Sequence, residues 1–504
     1  MDQNAMDIFD LNRTVIEDYE RFARSFTKVK ATDIRGRLDE LYAGRRFWPE
    51  PLLQISPRFK SGGSVAELVQ GNVLSPECAD IFAAPDLADG TLALHCHQRE
   101  AIVLAHRGRS FVVTTGTGSG KSLCFFIPII DAVIRGRAAC EPARTRAIVI
   151  YPMNALANSQ FGELRKFLGE QSPLVTFARF TGQEGRAERE RIAANPPDIL
   201  LTNFMMLELL MTRQDDIDRK VMANCEGLSF LVLDELHTYR GRQGADVAML
   251  VRRVRERLIA PGDGLQCIGT SATMASGGTE ETRAKIVADV ASTLFATAIG
   301  RADVIEETLA RATDPSRTAE TVRADLGPAI EESVEHAFGG KTTDTEIVQH
   351  PLAIWIETTL GLNVRSDGKW ERAKPMTLAD ATQALAEQSG ATPDTAASAI
   401  RNCLLSASRT EWDRTGCGAD RPFFAFKLHQ FISGAGKLHG TLEPQGQRRI
   451  VFDGQVFDPE SASKRLYAIH FCRNCGQEFH PVSLRSEEGA RKVTKAGGRA
   501  VRSM

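Results

Sequence analysis

The 504-residue sequence contains no run of eighteen apolar residues, and its first ten, MDQNAMDIFD, are acidic where a secretion signal would carry an apolar core. Neither a spanning helix nor a leader is therefore expected, and the default reading is a soluble, cytoplasmic protein without a membrane partner. A disulfide framework is also missing. The ten cysteines are scattered, only Cys472 and Cys475 form a C-x-x-C, and the pattern suits a reducing compartment. Nor is there an excess of either charge. Lys and Arg number 62 against 64 acidic residues, so any surface for a polyanion must be a local patch. The length calls for on the order of two to four domains.

What is present starts with FVVTTGTGSGKS, residues 111–122, followed by the apolar stretch LCFFIPIIDAVI. Strand-forming residues run into a Gly-rich loop ending in Lys-Ser, and a helix follows. Such a loop turns successive backbone N–H groups toward one anion. Lys121 then reaches the β- and γ-phosphates and the Ser122 hydroxyl suits Mg²⁺. Thr115 stands where the first Gly of G-x-x-x-x-G-K-[ST] would be, a departure expected to be tolerated because backbone shapes the loop. Gln98, just ahead of a helix and about twenty residues before the loop, is placed to read an adenine edge, with Arg99 and His97 nearby; taken alone it is a surface residue.

Between residues 111 and 270 the runs FVVTT, AIVIY, VTFARF, DILLT, SFLVLD and QCIGT alternate with helical segments such as NSQFGELRKFL. Short unalternating apolar runs are the mark of parallel strands buried on both faces, and the pattern predicts a doubly wound α/β domain. Pro128 is expected to kink the helix after the loop. Ahead of this domain, residues 8–25 predict an amphipathic helix, and FWPEPLLQISPRF reads as irregular chain that either packs or contacts a partner. Residues 281–298 predict one more helix. MTLADATQALAEQSGATPDTAASAIRNCLL predicts a helix–turn–helix with Gly390 in the turn, either a packing insertion or a DNA-reading module. Strand character returns at 423–452. The divisions expected are an N-terminal helical and irregular extension (1–88), the nucleotide lobe (89–300), a mainly helical, winged-helix-like accessory module (305–420), and a small strand-containing region with the C-x-x-C (421–504).

Asp234-Glu235-Leu236-His237 closes the run SFLVL. A carboxylate ending a buried strand costs several kcal/mol unless a cation or strong hydrogen bonds compensate it. Asp234 suits Mg²⁺, and Glu235 can orient and deprotonate a water. With Lys121 and Ser122 they make the minimal set for γ-phosphoryl transfer to water. Ser271-Ala272-Thr273 follows the next strand, where hydroxyls can bond the DELH segment and relay the state of the γ-phosphate.

Gln98, TTGTGSGKS, YPMNALANSQ, FTGQE, LLTNFMMLELL, DELHTYRG and SAT together resemble the ordered motifs of the first RecA-like lobe of superfamily-two DEAD/DEAH-box helicases. DELHTYRG and FCRNCGQEFHPV are most similar to the large bacterial MrfA-like branch, which carries a cysteine-cluster domain and includes DNA-repair and phage-defence members. The resemblance implies a RecA-like P-loop fold and ATP hydrolysis coupled to DNA translocation or unwinding; the competing reading is a nucleotide-dependent clamp or switch that does not unwind. It implies that Gln98 contacts adenine; that Thr117, Gly118, Ser119, Gly120, Lys121 and Ser122 hold phosphates; that Asp234 and Glu235 manage metal and water; and that Ser271 and Thr273 couple hydrolysis to motion. Pro152, Asn154, Thr181, Gly182, Thr202 and Asn203 would meet strand phosphates through backbone N–H groups and short polar side chains. The implied partners are single-stranded, duplex or forked DNA and subunits of a repair or defence complex. His237 is expected to couple domains rather than bind metal.

After residue 275 no Q-x-x-G-R-x-x-R segment or second strand series follows, so the chain reads as the N-terminal half of a helicase, or one chain of a split one. A second RecA-like lobe, downstream or on another chain, is the expected partner. Cys472 and Cys475 are half of a zinc knuckle eased by Gly476. His470, His480, Cys403 and Cys417 are the only candidates to complete it. Arg252, Arg253, Arg255 and Arg257 lie among the apolar residues of the helix after DELHTYRG, either solvated or facing DNA or a second lobe.

Overall fold

Each of the six apolar runs becomes a strand of one sheet: β1 (Phe111–Thr114), β2 (Ala147–Tyr151), β3 (Phe177–Phe180), β4 (Ile199–Asn203), β5 (Phe230–Leu233) and β6 (Gln266–Ser271). The computed structural model describes residues 7–25, 28–84, 90–116, 118–169, 174–260, 264–272, 280–336, 338, 342–365, 367–418, 420–433, 437–452, 454–487 and 490–495. A seventh strand, β7 (Val304–Glu306), has only three residues and was not anticipated from its sequence. The order is β7-β1-β6-β5-β2-β4-β3, and every pairing is parallel.

The helices divide between the two faces. α1 (Cys96–His106), α2 (Leu123–Ala138) and α3 (Asn154–Leu168) pack with Phe111, Val113, Val149 and Val232. On the other face α4 (Arg186–Ala194), α5 (Phe204–Thr212), α6 (Asp216–Ala223), α7 (Gly241–Leu258) and α8 (Glu280–Phe295) pack with Ile148, Ile150, Leu200 and Leu231. All five residues of β2 are buried. At about 1.5–3 kcal/mol for each fully buried aliphatic side chain, this double-sided burial is the main favourable term holding the sheet. The packing is close around β6. A Cβ on Gly269 would stand 2.4 Å from Leu236 Cδ1 and 3.3 Å from Phe295, so Gly269→Val would force the strand away from its neighbours. Pro128 lies inside α2, which continues through it to Ala138.

Residues 58–310 form this compact unit, and residues 1–57 with 311–504 form another. The helix expected near the N-terminus spans Ile8–Ser25, but Ile8, Leu11, Val15 and Phe22 are exposed; Ile16 and Tyr19 pack beside Tyr42 and Trp48. The segment read as irregular is partly strand. Leu52–Ser56 pairs antiparallel with Ala425–His429 on one side and Met376–Thr377 on the other. Its alternation puts Leu53 and Ile55 inward, and Pro51 and Pro57 flank the strand instead of interrupting it. The helix–turn–helix is Leu378–Ser389 and Pro393–Ala407, with Gly390 left-handed at φ 76° and Leu385, Ile400 and Leu404 in the core around Trp355. Among the described residues this second unit holds only antiparallel sheets of two or three strands. Among the described residues no helix is long and apolar enough to cross a membrane.

Candidate nucleotide and strand site

The Gly-rich loop leaves β1 and returns into α2, with Gly118 and Gly120 at φ 80° and 69°, where only glycine turns without strain. Its entry is stitched to β6, since the Thr115 N–H donates to the Ser271 carbonyl (3.2 Å). Thr115 departs from the expectation that backbone alone matters there. Its hydroxyl lies 2.6 Å from that of Ser119, both are buried, and the pair braces the loop. Lys121 Nζ donates to the carbonyls of Thr115 (3.1 Å) and Gly116 (3.3 Å), and the Gly116 N–H donates to the Glu307 carboxylate (3.0 Å). Ser122 precedes α2 with its hydroxyl uncommitted to capping. Thr117 and Thr273 lie outside the described residues.

Gln98 is buried and used at both ends. Its Oε1 accepts from the His95 N–H (2.8 Å) as a helix cap, and its Nε2 donates to the Gly120 carbonyl (3.0 Å). Any contact with a base is thus a second duty beside holding the loop. His97 works in parallel, with Nε2–H donating to the Ser119 carbonyl (2.9 Å). Burial lowers its pKa to about 4, so the ring is neutral, and Nδ1 is buried without a hydrogen-bond partner.

Asp234 follows β5, its N–H donating to the Ile150 carbonyl (3.0 Å). The Thr270 hydroxyl donates to the Asp234 carboxylate and accepts from the Glu235 N–H (3.3 Å). Burial is the largest influence on Asp234 and raises its pKa to about 6, with Glu235 adding to the rise and Thr270 and Lys121 opposing it. Glu235 is left-handed at φ 53°. Its buried Oε2 lacks a hydrogen-bond partner; His237 Nδ1 is 3.2 Å away, at ion-pair distance, without making that bond. The same His237 nitrogen is 3.4 Å from the Ser271 hydroxyl, so the DELH segment does meet the end of β6.

Mg²⁺ is tested by this donor set. Ser122, Asp234 and Glu235 offer only oxygen, and the buried Asp234 is the carboxylate a cation would relieve; the residues fit a hard divalent ion. Among the described residues no group of three or more His, Cys, Asp or Glu is arranged to hold a metal by itself. Mg²⁺ typically takes one or two carboxylates and completes its shell with water and phosphate, so the two observations agree.

On the same carboxyl rim, Asn203 Nδ2 donates to Asn154 Oδ1 (2.6 Å) and the Thr181 carbonyl (3.1 Å), while Asn203 Oδ1 caps α5 through the Met206 N–H. Pro152 sits just before this cluster, half-buried. Thr202 is fully buried and its hydroxyl donates to the Phe180 carbonyl (2.7 Å), so it supports the rim from below. The N–H groups of Thr181 and Gly182 already serve the Glu184 carboxylate, at 2.7 and 3.0 Å.

The α7 arginines are tied to their own unit. Arg252 donates to the Ala248 and Thr293 carbonyls, Arg253 pairs with Glu208, Arg255 donates to the Phe295 carbonyl and Arg257 to that of Met211. They staple α7 to α5 and α8.

Cys472 and Cys475 lie in the turn between strands His470–Phe471 and Glu478–Phe479, with Gly476 at φ 75°. The Cys475 and Asn474 N–H groups hold the Cys472 thiol below its ordinary pKa. Cys403 does not join them. It is buried in the helical core with its thiol pushed far up, while Cys417 is exposed, and among the described residues no four-ligand set assembles. Burial under an Ala- and Leu-rich helix face, invisible from spacing alone, removes Cys403. Sequence reasoning missed Thr270, Glu184 and Glu307. Only Glu184 left a local signal, the T-x-x-E spacing of a self-capping turn.

Residues 96–282 match the family model described as DEAD/DEAH box helicase. This segment is a DEAD/DEAH box helicase domain. The chain is 31% identical over 183 residues to the uncharacterized ATP-dependent helicase YprA of Bacillus subtilis, a match covering 36% of this chain and 23% of that protein. It is 26% identical over 341 residues to the Druantia protein DruE of Escherichia coli, covering 45% of this chain and 18% of that one. The helicase-containing chain thus spans less than a quarter of either relative. Among solved structures, the DUF1998 helicase MrfA bound to DNA aligns at 21% identity and a TM-score of 0.40, over 64% of this chain and 44% of that one.

Proposed function

We propose that the chain is the ATP-binding half of a nucleic-acid motor, DNA being the expected polymer, that hydrolyses ATP to ADP and phosphate. The observation that carries this reading is the convergence of the loop bearing Lys121 and the Asp234–Glu235 pair, joined by Thr270, at the carboxyl ends of β1, β5 and β6. Gln98 would face adenine; the N–H groups of Thr117, Gly118, Ser119 and Gly120 would cradle phosphates, and Lys121 would turn from the loop carbonyls to the γ-phosphate. Ser122 and Asp234 would hold Mg²⁺, which supplies charge neutralisation at the phosphates when bound. Glu235, its Oε2 without a hydrogen-bond partner, would take a proton from the attacking water. Ser271 and Thr273 would pass the change to the rim. There Asn154, Asn203, Pro152 and the 181–182 turn would contact a strand backbone, with Thr202 beneath.

Cys472 and Cys475 would give two thiolates to a zinc ion in the intact protein. A place in DNA repair or antiviral defence, with partner subunits, rests on family resemblance, and a cytoplasmic location on the sequence reading. The lack of a second parallel sheet among the described residues keeps the alternative of a switch ATPase that binds strands without unwinding them. The test is phosphate release with and without single-stranded DNA, beside strand displacement. Stimulation with displacement supports the motor, stimulation alone supports the switch, and no nucleotide dependence of either overturns both.

A further inference from the structure

Tyr151 ends β2 between two residues already assigned to the rim. It pairs with Asn203 of β4 on one side. On the other, β2 runs in register with β5 up to Ile150 and Leu233, and the Asp234 N–H bonds the Ile150 carbonyl, which makes Tyr151 the cross-strand neighbour of Asp234. Strand alternation sets both on the face of the phosphate loop, where Tyr151 packs with Val149, Val232 and α2. The Tyr151 side chain is completely buried, and its hydroxyl has no hydrogen-bond partner.

A buried hydroxyl without a partner is unfavourable, and phenylalanine would fill the same space without that cost. One oxygen of Asp234 is taken by Thr270. A phenol O–H is a hydrogen-bond donor, and a carboxylate oxygen is an acceptor it could reach from the neighbouring strand.

Resting on the nucleotide reading above, we propose that Tyr151 is a positioning residue of the nucleotide site, whose O–H donates to the Asp234 carboxylate when magnesium and nucleotide are bound. Thr270 and Tyr151 would then grip the carboxylate from the strands on either side of β5, fixing its orientation toward the metal. Tyr151 touches neither the nucleotide nor the attacking water.

The test uses the full 504-residue chain. A fluorescent ADP analogue is titrated into wild type, Tyr151→Phe, Asp234→Asn and the double variant, each in Mg²⁺ and in EDTA, with unfolding midpoints measured alongside. Tyr151→Phe is expected to weaken binding in Mg²⁺ by about tenfold, the usual size for losing a partner of a metal ligand, while EDTA values stay within about twofold. In the Asp234→Asn background the same change should do nothing further. The ligand-free midpoint of Tyr151→Phe should equal or exceed that of wild type. An unchanged Mg²⁺-to-EDTA ratio overturns the proposal. So does an equal loss in both conditions with a lowered midpoint, which would make Tyr151 a packing residue. Wild type that binds no nucleotide in either condition would instead sink the underlying assignment, and the proposal with it.

Discussion

Gln98 Nε2 donates to the carbonyl of Gly120 across 3.0 Å, which ties the start of α1 to the phosphate loop. A Cβ on Gly120 would come within 2.5 Å of that nitrogen, so the contact is tight as well as polar. Gln98→Ala is therefore expected to weaken ATP and GTP together and to erase the preference between them. Competition titrations of the two nucleotides check this. A variant that keeps the wild-type ratio would show that the base is read elsewhere.

Glu235→Gln preserves shape and removes the proposed base. It should bind MgATP as wild type does and hydrolyse it ~10²-fold more slowly or worse, the usual loss for a general base. Lys121→Ala should instead lose affinity. Phosphate release and nucleotide titration, run side by side, separate the two; unchanged turnover in Glu235→Gln would end the assignment.

His97 sets a pH dependence of stability. Unfolded, it protonates near 6.5; folded, burial delays protonation to about 4. Between those values the unfolded chain binds more protons, so stability falls as pH drops through this window and is unaffected above it. The full effect is about 3 kcal/mol at its largest. Urea midpoints at pH 7.5 and pH 5 should diverge less in His97→Gln than in wild type.

Glu184 holds the two amides expected to meet a strand. Glu184→Ala should free them and tighten binding of a single-stranded oligonucleotide by up to about tenfold, the worth of a charge-assisted hydrogen bond. Fluorescence anisotropy at fixed salt measures it. Equal affinities would remove the 181–182 turn from the strand contact.

With one parallel sheet among the described residues, the proposed site would offer the γ-phosphate Lys121 but no arginine from a second lobe. Contacts of that kind are worth ~10³–10⁵ in rate where they are used. The purified chain is expected to bind ATP, turn it over very slowly, bind strands in a salt-sensitive way and not unwind duplexes. Adding a second lobe should restore turnover and unwinding. Robust displacement by a verified monomer would refute this.

The parallel sheet was legible because burial on both faces leaves runs such as AIVIY with no polar alternation. Asp234 and Glu235 were legible because charge directly after such a run is rare, and the structure sets them at the carboxyl end of β5. Thr270 was not, because its meeting with Asp234 depends on the register between β5 and β6, set by pairing across more than thirty residues. Leu52–Ser56 was hidden by flanking prolines that mark its ends. Cys403 looked available from spacing, and burial withdrew it. The α7 arginines were ambiguous for a similar reason, since their acceptors are carbonyls and a glutamate supplied by α5, α7 itself and α8.

Glu307 accepts from the Gly116 amide just after β7 pairs with β1. β7 is a three-residue strand on the sheet's outer margin, the kind of element that frays before the centre does. Protection of the Gly116 amide against solvent exchange is therefore governed by the fraying of β7. The phosphate loop is held to β6 through Thr115 and to the end of β7 through Gly116, and it is expected to open from the β7 side first.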